Sequence, residues 1–597
     1  MYTGKSLEPK TRVGYGDVAI QTFHLLANSM SENGDDEELE ELVHMVEFFE
    51  EYIWVPSSSG GQQELKEGRI VTAIPGIGVL GGYNPKLTNA DWNHSAAYGK
   101  PTWNEAAGVA HPGRGASSTF YEASIYSSTD IPAGMEIFVN YGDNWSEDDD
   151  DDEDSDELTK DDHTKVDETI EKILEFFAKH PELEEPAKTE IYNFLVRDVM
   201  AAAAGNKKGA KITNMLPDSP DELHKVKEAG GSLTFSDPTT IRSLDWLQTY
   251  GRCMDNIKPG PSTISHAGRG AFAARAIPEG GLVAPVPLVQ IPNEDILLMH
   301  PIRKILDEEE DVYVRSNNDI IGTQLLLNYC YGHEESSLLF FPAGAVASFI
   351  NHSKEKANAK MVWSDHPNNH KHWFELDPSD LIEEENMHLG LMMEIVATRP
   401  IKEGEEVFID YGDEWQAAWD EHVASFKALN MKEWPIRAID LNGEYKTKAF
   451  PTIDEQKKKP LPETVEQKCF LMVKKPADEE PVDKEGRNVR VWAEPDNEPG
   501  RAFETENLFD CSIVDKKKDG KSWTYTILWE GSSSTTVVKN VPHRAVVFLD
   551  KPETSDQHYP GGFRHYIGIP DEIFPQGPWR NLGEDDEDDE DDDDEED

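Results

Sequence analysis

The chain has 597 residues, 37% of them apolar, and a formal charge of −59. That length allows about four domains at ~100–200 residues each, with enough apolar content for packed cores separated by long polar segments. The acid excess disfavours naked nucleic acid as a direct ligand, because affinity there depends on Lys and Arg neutralising phosphates, whereas a basic protein would be attracted.

In chain order, residues 1–145 alternate short apolar runs with Gly, Pro and Asn turns, as in IPGIGVLGGYNPK, and predict short strands. Residues 147–157 hold ten acids, so 146–165 reads as an unfolded linker. Over 166–235 the spacing becomes helical. Val166, Ile170, Ile173, Leu174 and Phe177 share one face, and Ile191, Phe194, Leu195 and Val199 another, as in a helical connector between domains.

Strand signals return over 236–430. They are interrupted near 292–331 by EDILLMHPIRKILDEEED and TQLLLNYCYG, where a helical insertion is expected. A Lys/Pro/Glu-rich stretch at 431–500 reads as a second linker. Residues 501–582 read as a small antiparallel β-barrel, from SWTYTILWEG, TTVVKNV and RAVVFL, and 583–597 as an acidic tail. The expected class is α+β and multidomain.

Cys253, Cys330, Cys469 and Cys511 form no C-x-x-C pair, and reduced thiols fit the cytosol or nucleus. The first residues lack an apolar signal core and no run approaches ~18 apolar residues, so neither secretion nor a membrane span is expected. The histidine-rich HPNNHKH (His366, His370, His372) sits in a polar loop and reads as solvated, and no metal site is expected.

Residues 135–145, MEIFVNYGDNW, return at 405–415 as EEVFIDYGDEW. At an offset of 270, eight of fifteen positions match between Ile131 and Trp145 and between Ile401 and Trp415, Tyr141 and Tyr411 among them. Two copies cannot form a solenoid, so duplicated domains are expected.

Three segments of the second copy carry candidate chemistry: AGRGAFAARAIPEG at 267–280, FINHSKEKANA at 349–359 and EIVATRPIKEGEEVFIDYGDEW at 394–415. In order and spacing they resemble the SET-domain family of protein lysine methyltransferases. The resemblance implies a β-rich SET fold, S-adenosyl-L-methionine as cofactor, and the side-chain amine of lysine in a basic protein, a histone or another Lys-rich protein, as substrate. It places Tyr411 at the catalytic position, Gly268, Arg269 and Gly270 along the cofactor's methionine portion, and Asn351 and His352 against its adenine and amino-acid ends.

The chemistry asks for such groups. Free lysine has a pKa of ~10.4, so the amine must lose a proton before it attacks, and a buried aromatic slot disfavours the ammonium form. A tyrosine hydroxyl at a strand end can hold the amine in line. Without the resemblance, the glycines read as a tight turn and Asn351 and His352 as turn-capping residues. Ser348 stands where many members carry Arg, the Cys-x-Pro often seen after NHS is replaced by KEKAN, and no cysteine cluster follows Trp415. Trp415 and Trp419 suit either an adenine cover or packing inside the domain.

The first copy keeps Tyr141 but has Gly82 and Tyr83 where Asn351 and His352 stand, and its GRGAS at 113–117 reads as a loop. A degenerate SET-like domain is expected there. Trp523, Tyr525 and Trp529 alternate along one strand, as an aromatic cage or, more simply, as core. The alternative to an intracellular, nuclear or cytoplasmic enzyme is a catalytically silent adaptor or chaperone that binds basic proteins through its acidic segments.

Overall fold

The computed structural model describes residues 1–23, 29–31, 51–54, 70–84, 87–92, 111–118, 120–141, 160–200, 202, 206–217, 219–265, 267–300, 302–306, 311–315, 320–383, 386, 388–427, 438–462, 465–474, 482–484, 486–494, 508–520, 522–530, 535–550, 559 and 561–580. Both acidic blocks, and residues 142–145 of the first repeat, lie outside them. Helix and strand are mixed, as expected for an α+β chain. The chain divides into two compact units. One comprises Met1–Gly14, Leu80–Asn93 and Ser124–Arg252; the other comprises Tyr15–Val79, His94–Ala123 and Cys253–Asp597.

In the first unit, Ala90–Trp92 pairs antiparallel with Ile125–Ser127, and Gly82 bridges Phe138 in parallel. A helix covers Lys160–Lys179, beginning inside the stretch that composition marks as linker. Its Val166, Ile170 and Ile173 are buried in a core with Tyr192, Val196 and Leu223. The second expected stripe is corrected: Phe194 is 57% and Val199 44% exposed, while Tyr192 and Val196 turn inward. Phe194–Met200 is π-helix, and its i→i+5 bonding rotates the apolar stripe away from 3.6-residue spacing.

The second unit is built on a six-stranded sheet. Its order is Ala359–Trp363, Leu391–Ala397, Leu282–Ile291, Leu339–Pro342, Tyr331–Gly332 and Ile567–Gly568. Leu282–Ile291 (LVAPVPLVQI) is apolar almost throughout and buried along most of its length, as a strand covered on both faces must be. Pro285 and Pro287 are tolerated within it because pairing with Leu339–Pro342 begins only at Leu288. Leu391–Ala397 alternates buried and half-buried residues without a break.

Three sequence expectations for this unit are corrected. Among its described residues the insertion is helical only in 3-10 turns at Glu294–Leu297 and Leu325–Tyr329. Ile302–Leu306 instead pairs antiparallel with Asp311–Arg315, whose VYVR core is β-branched and aromatic. Second, the 431–500 stretch is no mere connector: Ala438, Leu441, Phe450 and Val465 belong to the C-terminal core with Tyr525 and Phe548. Third, residues 561–580 leave that core and return to the six-stranded sheet through Ile567–Gly568.

The C-terminal core lies between a three-stranded sheet centred on Val465–Phe470 and a five-stranded sheet containing Ser522–Glu530. Tyr525 is buried there, and Trp523 and Trp529 pack against the same core. The Tyr525 hydroxyl accepts the Phe450 N–H at 3.0 Å and lies 2.8 Å from His543 Nδ1. Cys469 and Cys511, 42 residues apart, are disulfide-bonded, which corrects the reading of all four cysteines as reduced thiols. Their proximity comes from the pairing of Val465–Phe470 with Leu508–Asp510, which sequence spacing does not display. Among the described residues no helix is long and apolar enough to cross a membrane.

Candidate functional site

The motif segments of the second unit converge through a short parallel pairing. Asn351–His352 runs beside Phe408–Ile409, so the turn that carries Asn-His meets the strand that leads to Tyr411. The third segment enters as a hairpin, Ile257–Pro261 against Arg269–Ala273. Asn351 Nδ2 ties it in by donating to the Arg269 carbonyl at 2.9 Å and to Ser262 Oγ at 3.2 Å.

Both nitrogens of His352 are engaged. Nδ1 accepts the Tyr411 backbone N–H at 3.0 Å, which puts the ring proton on Nε2, 3.0 Å from Gln416 Oε1. The ring lies 4.8 Å from that of Trp415, which stacks on Trp419 at 5.9 Å. The hydroxyl of Tyr411 donates to the Ile350 carbonyl at 2.5 Å. Burial, with Tyr331 and Tyr329 nearby, pushes its pKa far up, so it stays a neutral phenol. Its proton is spent on Ile350, which leaves the oxygen's remaining lone pair to accept an N–H.

Arg269, Asn351, His352 and Tyr411 line one cavity of about 300 Å³, at the small end of the range for ligand sites. Gly268 and Gly270 flank Arg269 for different reasons. Gly268 has φ +71°, the left-handed region that favours glycine. At Gly270 an added Cβ would lie 2.1 Å from Glu406 Oε1. The space that glycine leaves there is filled by this carboxylate.

Glu406 was not among the motif candidates, yet it organises the hairpin. It is 5% exposed, and its carboxylate accepts from Ser262 Oγ at 2.7 Å and from the Thr263 N–H at 2.7 Å. The repeat carried the signal, since Glu136 stands at the matching place. There its Oε1 accepts from the Met1 amine at 3.4 Å. The remaining bonds also recur. Asn358 Nδ2 donates to the Glu406 carbonyl at 2.8 Å and its Oδ1 accepts from Phe408 at 2.9 Å; Asn89 does the same with Glu136 and Phe138 at 2.8 and 3.0 Å. Tyr141 donates to the Gly81 carbonyl at 2.6 Å, as Tyr411 does to Ile350. Where His352 meets Tyr411, however, Tyr83 lies against Tyr141 with ring centroids 4.9 Å apart.

Two cavity walls escaped sequence reasoning altogether. Gly113, Ala116 and Ser117 line it from one side, and Phe563 and Ile567 from another. Asn328 joins them, its Nδ2 donating to the carbonyls of Ala116 at 2.9 Å and Phe563 at 2.8 Å. Arg564 does likewise with Gly115 and Thr323, at 2.6 and 2.8 Å. The GRGAS stretch is a loop, as its position implied, but one built into the site.

S-adenosyl-L-methionine can be tested against these residues. Ser348 lines the cavity, and its Oγ is buried without a protein partner, an orphaned polar atom that a polar ligand would satisfy. Trp415 and Trp419 present flat apolar surface to the same cavity, which suits an adenine. The residues fit the cofactor. Among the described residues no three metal-ligating side chains are grouped to hold a metal ion; His370 Nδ1 and His388 Nε2, 3.3 Å apart, are only a pair.

The model of the SET domain family matches residues 268–412. No curated protein matches the chain. Among solved structures, a candidate histone methyltransferase of Plasmodium falciparum is similar at 19% identity, over 27% of this chain and 96% of that one, with a TM-score of 0.16. Polycomb repressive complex 2 of Chaetomium thermophilum, autoinhibited and bound to S-adenosylmethionine, is similar at 20% identity over 29% of this chain, with a TM-score of 0.16. A further crystal structure of that complex gives 19% identity, 30% coverage and a TM-score of 0.18. The match spans 17% of the length of each of these two chains.

Proposed function

We propose that this chain, whose residues 268–412 are a SET domain, methylates the side-chain amine of lysine in a basic protein. The observation that supports this best is the convergence of Arg269, Asn351, His352 and Tyr411, from three separate segments, on one cavity. S-adenosyl-L-methionine, when bound, supplies an electrophilic methyl group.

In this reading Arg269 and the backbone at Gly268, Asn351 and His352 hold the cofactor, with Ser348 Oγ as a further polar contact and Trp415 and Trp419 beside the adenine. Tyr411 is the catalytic residue. Its hydroxyl, held by Ile350, accepts an N–H of the neutral amine and aims the nitrogen's lone pair at the methyl carbon. Such near-attack positioning can account for much of the rate. The buried tyrosines around it disfavour the ammonium form.

The first copy is read as a degenerate SET-like domain, because Gly82 and Tyr83 replace the Asn-His pair, and the two C-terminal sheets as a small barrel. The acidic segments suit a histone or other Lys-rich partner, in the nucleus or cytoplasm, and make direct nucleic-acid binding unfavourable. The disulfide sits less easily with a reducing compartment. The deciding experiment is transfer of labelled methyl from the cofactor to purified basic proteins, unmodified chain against Tyr411→Phe. An unmodified chain that neither binds the cofactor nor transfers label leaves the silent adaptor as the better reading.

A further inference from the structure

The turn that leads into Asn351 and His352 is held in a conformation its own residue disfavours. Val346 has φ +63°, and a β-branched residue in the left-handed region is an outlier. Such strain persists only where the surroundings impose it, and it tends to mark functional sites.

Asp17, 329 residues earlier in the chain, meets this turn. Its Oδ2 accepts the Val346 N–H at 2.7 Å, and its Oδ1 accepts the Val18 N–H at 2.9 Å. Asp17 is 3% exposed, and its neighbours Val18 and Ile20 share the core of Val346 and Ile350. A buried carboxylate is costly unless it is hydrogen-bonded, and one of its two bonds is spent on this distant turn. Gly76 leaves the room: a Cβ there would come within 3.0 Å of Asp17 Oδ2 and of Ala345 Cα.

Immediately after Val346, Ala347–Phe349 form a 3-10 turn whose residues line the cavity. The next carbonyl, Ile350, receives the Tyr411 hydroxyl. We propose that Asp17 is a positioning residue for methyl transfer: its carboxylate holds the strained Val346 turn and, through it, the Ile350 carbonyl that aims Tyr411. The role rests on the methyl-transfer reading of residues 268–412. It also gives the N-terminal half a part in the chemistry of the second copy.

Asp17→Asn keeps the side chain's volume but turns an N–H toward one of the two backbone donors. It should lower kcat for methyl transfer at least tenfold, with a smaller change in KM. Val346→Gly adopts φ +63° without strain. Added to Asp17→Asn, it should bring kcat back to within about threefold of Val346→Gly alone, a coupling that a double-mutant cycle measures. Loss of core packing affects both Val346→Gly chains equally and cancels.

Unchanged kcat in a folded Asp17→Asn chain overturns the proposal, and so does a loss that Val346→Gly does not repair. Should Asp17→Asn fail to fold, the double variant decides. Folded and active, it sustains the positioning role; unfolded or inactive, it overturns it. An unmodified chain that transfers no methyl group sinks the methyl-transfer reading and this role with it, whereas an active chain indifferent to Asp17→Asn sinks the role alone.

Discussion

The backbone N–H of Tyr411 donates to Nδ1 of His352 at 3.0 Å, while the other ring nitrogen meets Gln416. The imidazole therefore braces the closing strand against the helix Asp413–Ser425. His352→Ala removes that brace and leaves a half-buried N–H without its acceptor, a loss of about 1–3 kcal/mol. The melting temperature should drop accordingly. The stabilisation by S-adenosyl-L-methionine, about 2.7 kcal/mol at a hundredfold excess over Kd, should shrink as well. A variant that melts and responds to cofactor like the unmodified chain refutes the brace.

Tyr411→Phe deletes the hydroxyl that Ile350 holds and should reduce methyl transfer by roughly 100-fold or more, the penalty of misplacing the reacting amine. Cofactor affinity should stay within a few-fold. Tyr141→Phe removes the matching hydroxyl in the first copy and should leave the chemical step alone. Labelled-methyl transfer and calorimetry on both variants separate the two copies. Equal losses in both would contradict the assignment to Tyr411.

Gly270→Ala would drive a methyl group into the Glu406 carboxylate, which stands 2.1 Å from the new Cβ. The chain should lose about 1–3 kcal/mol by overpacking. Glu406→Ala alone strands the Ser262 and Thr263 donors. In the double variant the clash disappears, so the two losses should add to less than their sum, as denaturant titrations of a cycle would reveal. Strict additivity would show that the glycine answers to something other than Glu406.

Burial pushes Asp17 from 3.8 up to about 7, against the opposing pull of the Val346 and Val18 N–H bonds. The folded chain then keeps a proton that the unfolded chain releases above about pH 4. This residue's contribution to stability is complete below that pH and is lost as pH rises to about 7. Asp17→Asn cannot titrate. The melting-temperature gap between the unmodified chain and the variant should therefore narrow from pH 4 to 7 and level off above. A constant gap would mean that Asp17 does not titrate in that window.

Residues 584–597 are fourteen consecutive acids. If they gather basic substrates, deleting them should raise KM for a Lys-rich protein and hardly change kcat, since distant charge alters encounter more than the transition state. The effect should fade with salt, as the Debye length falls from ~10 Å at 0.1 M to ~3 Å at 1 M. A short neutral peptide bearing the target lysine should not register the deletion. A drop in kcat on that peptide would show instead that the tail acts at the catalytic domain.

The sequence by itself determined what depends on short-range order. The order and spacing of three segments, through their resemblance to SET domains, brought out Arg269, Asn351, His352 and Tyr411, and the repeat put Asn89 and Asn358, 269 positions apart, in matching places. The strand announced by alternation in SWTYTILWEG formed where expected, at Ser522–Glu530. Helical expectations failed near 292–331, where Ile302–Leu306 pairs with Asp311–Arg315 instead, and at Phe194–Met200, where i→i+5 bonding changes the period itself.

Tertiary structure alone decided the rest. The Cys469–Cys511 pairing, the return of Ile567–Gly568 to the sheet, the Ala116–Phe563 wall and the Asp17–Val346 bond join residues from 42 to 447 positions apart. Periodicity and capping report only on neighbours within a turn or a strand. Which carboxylate ends up against which backbone N–H depends on how whole elements bury their apolar faces together. That choice belongs to the packed core and leaves no local mark in the chain.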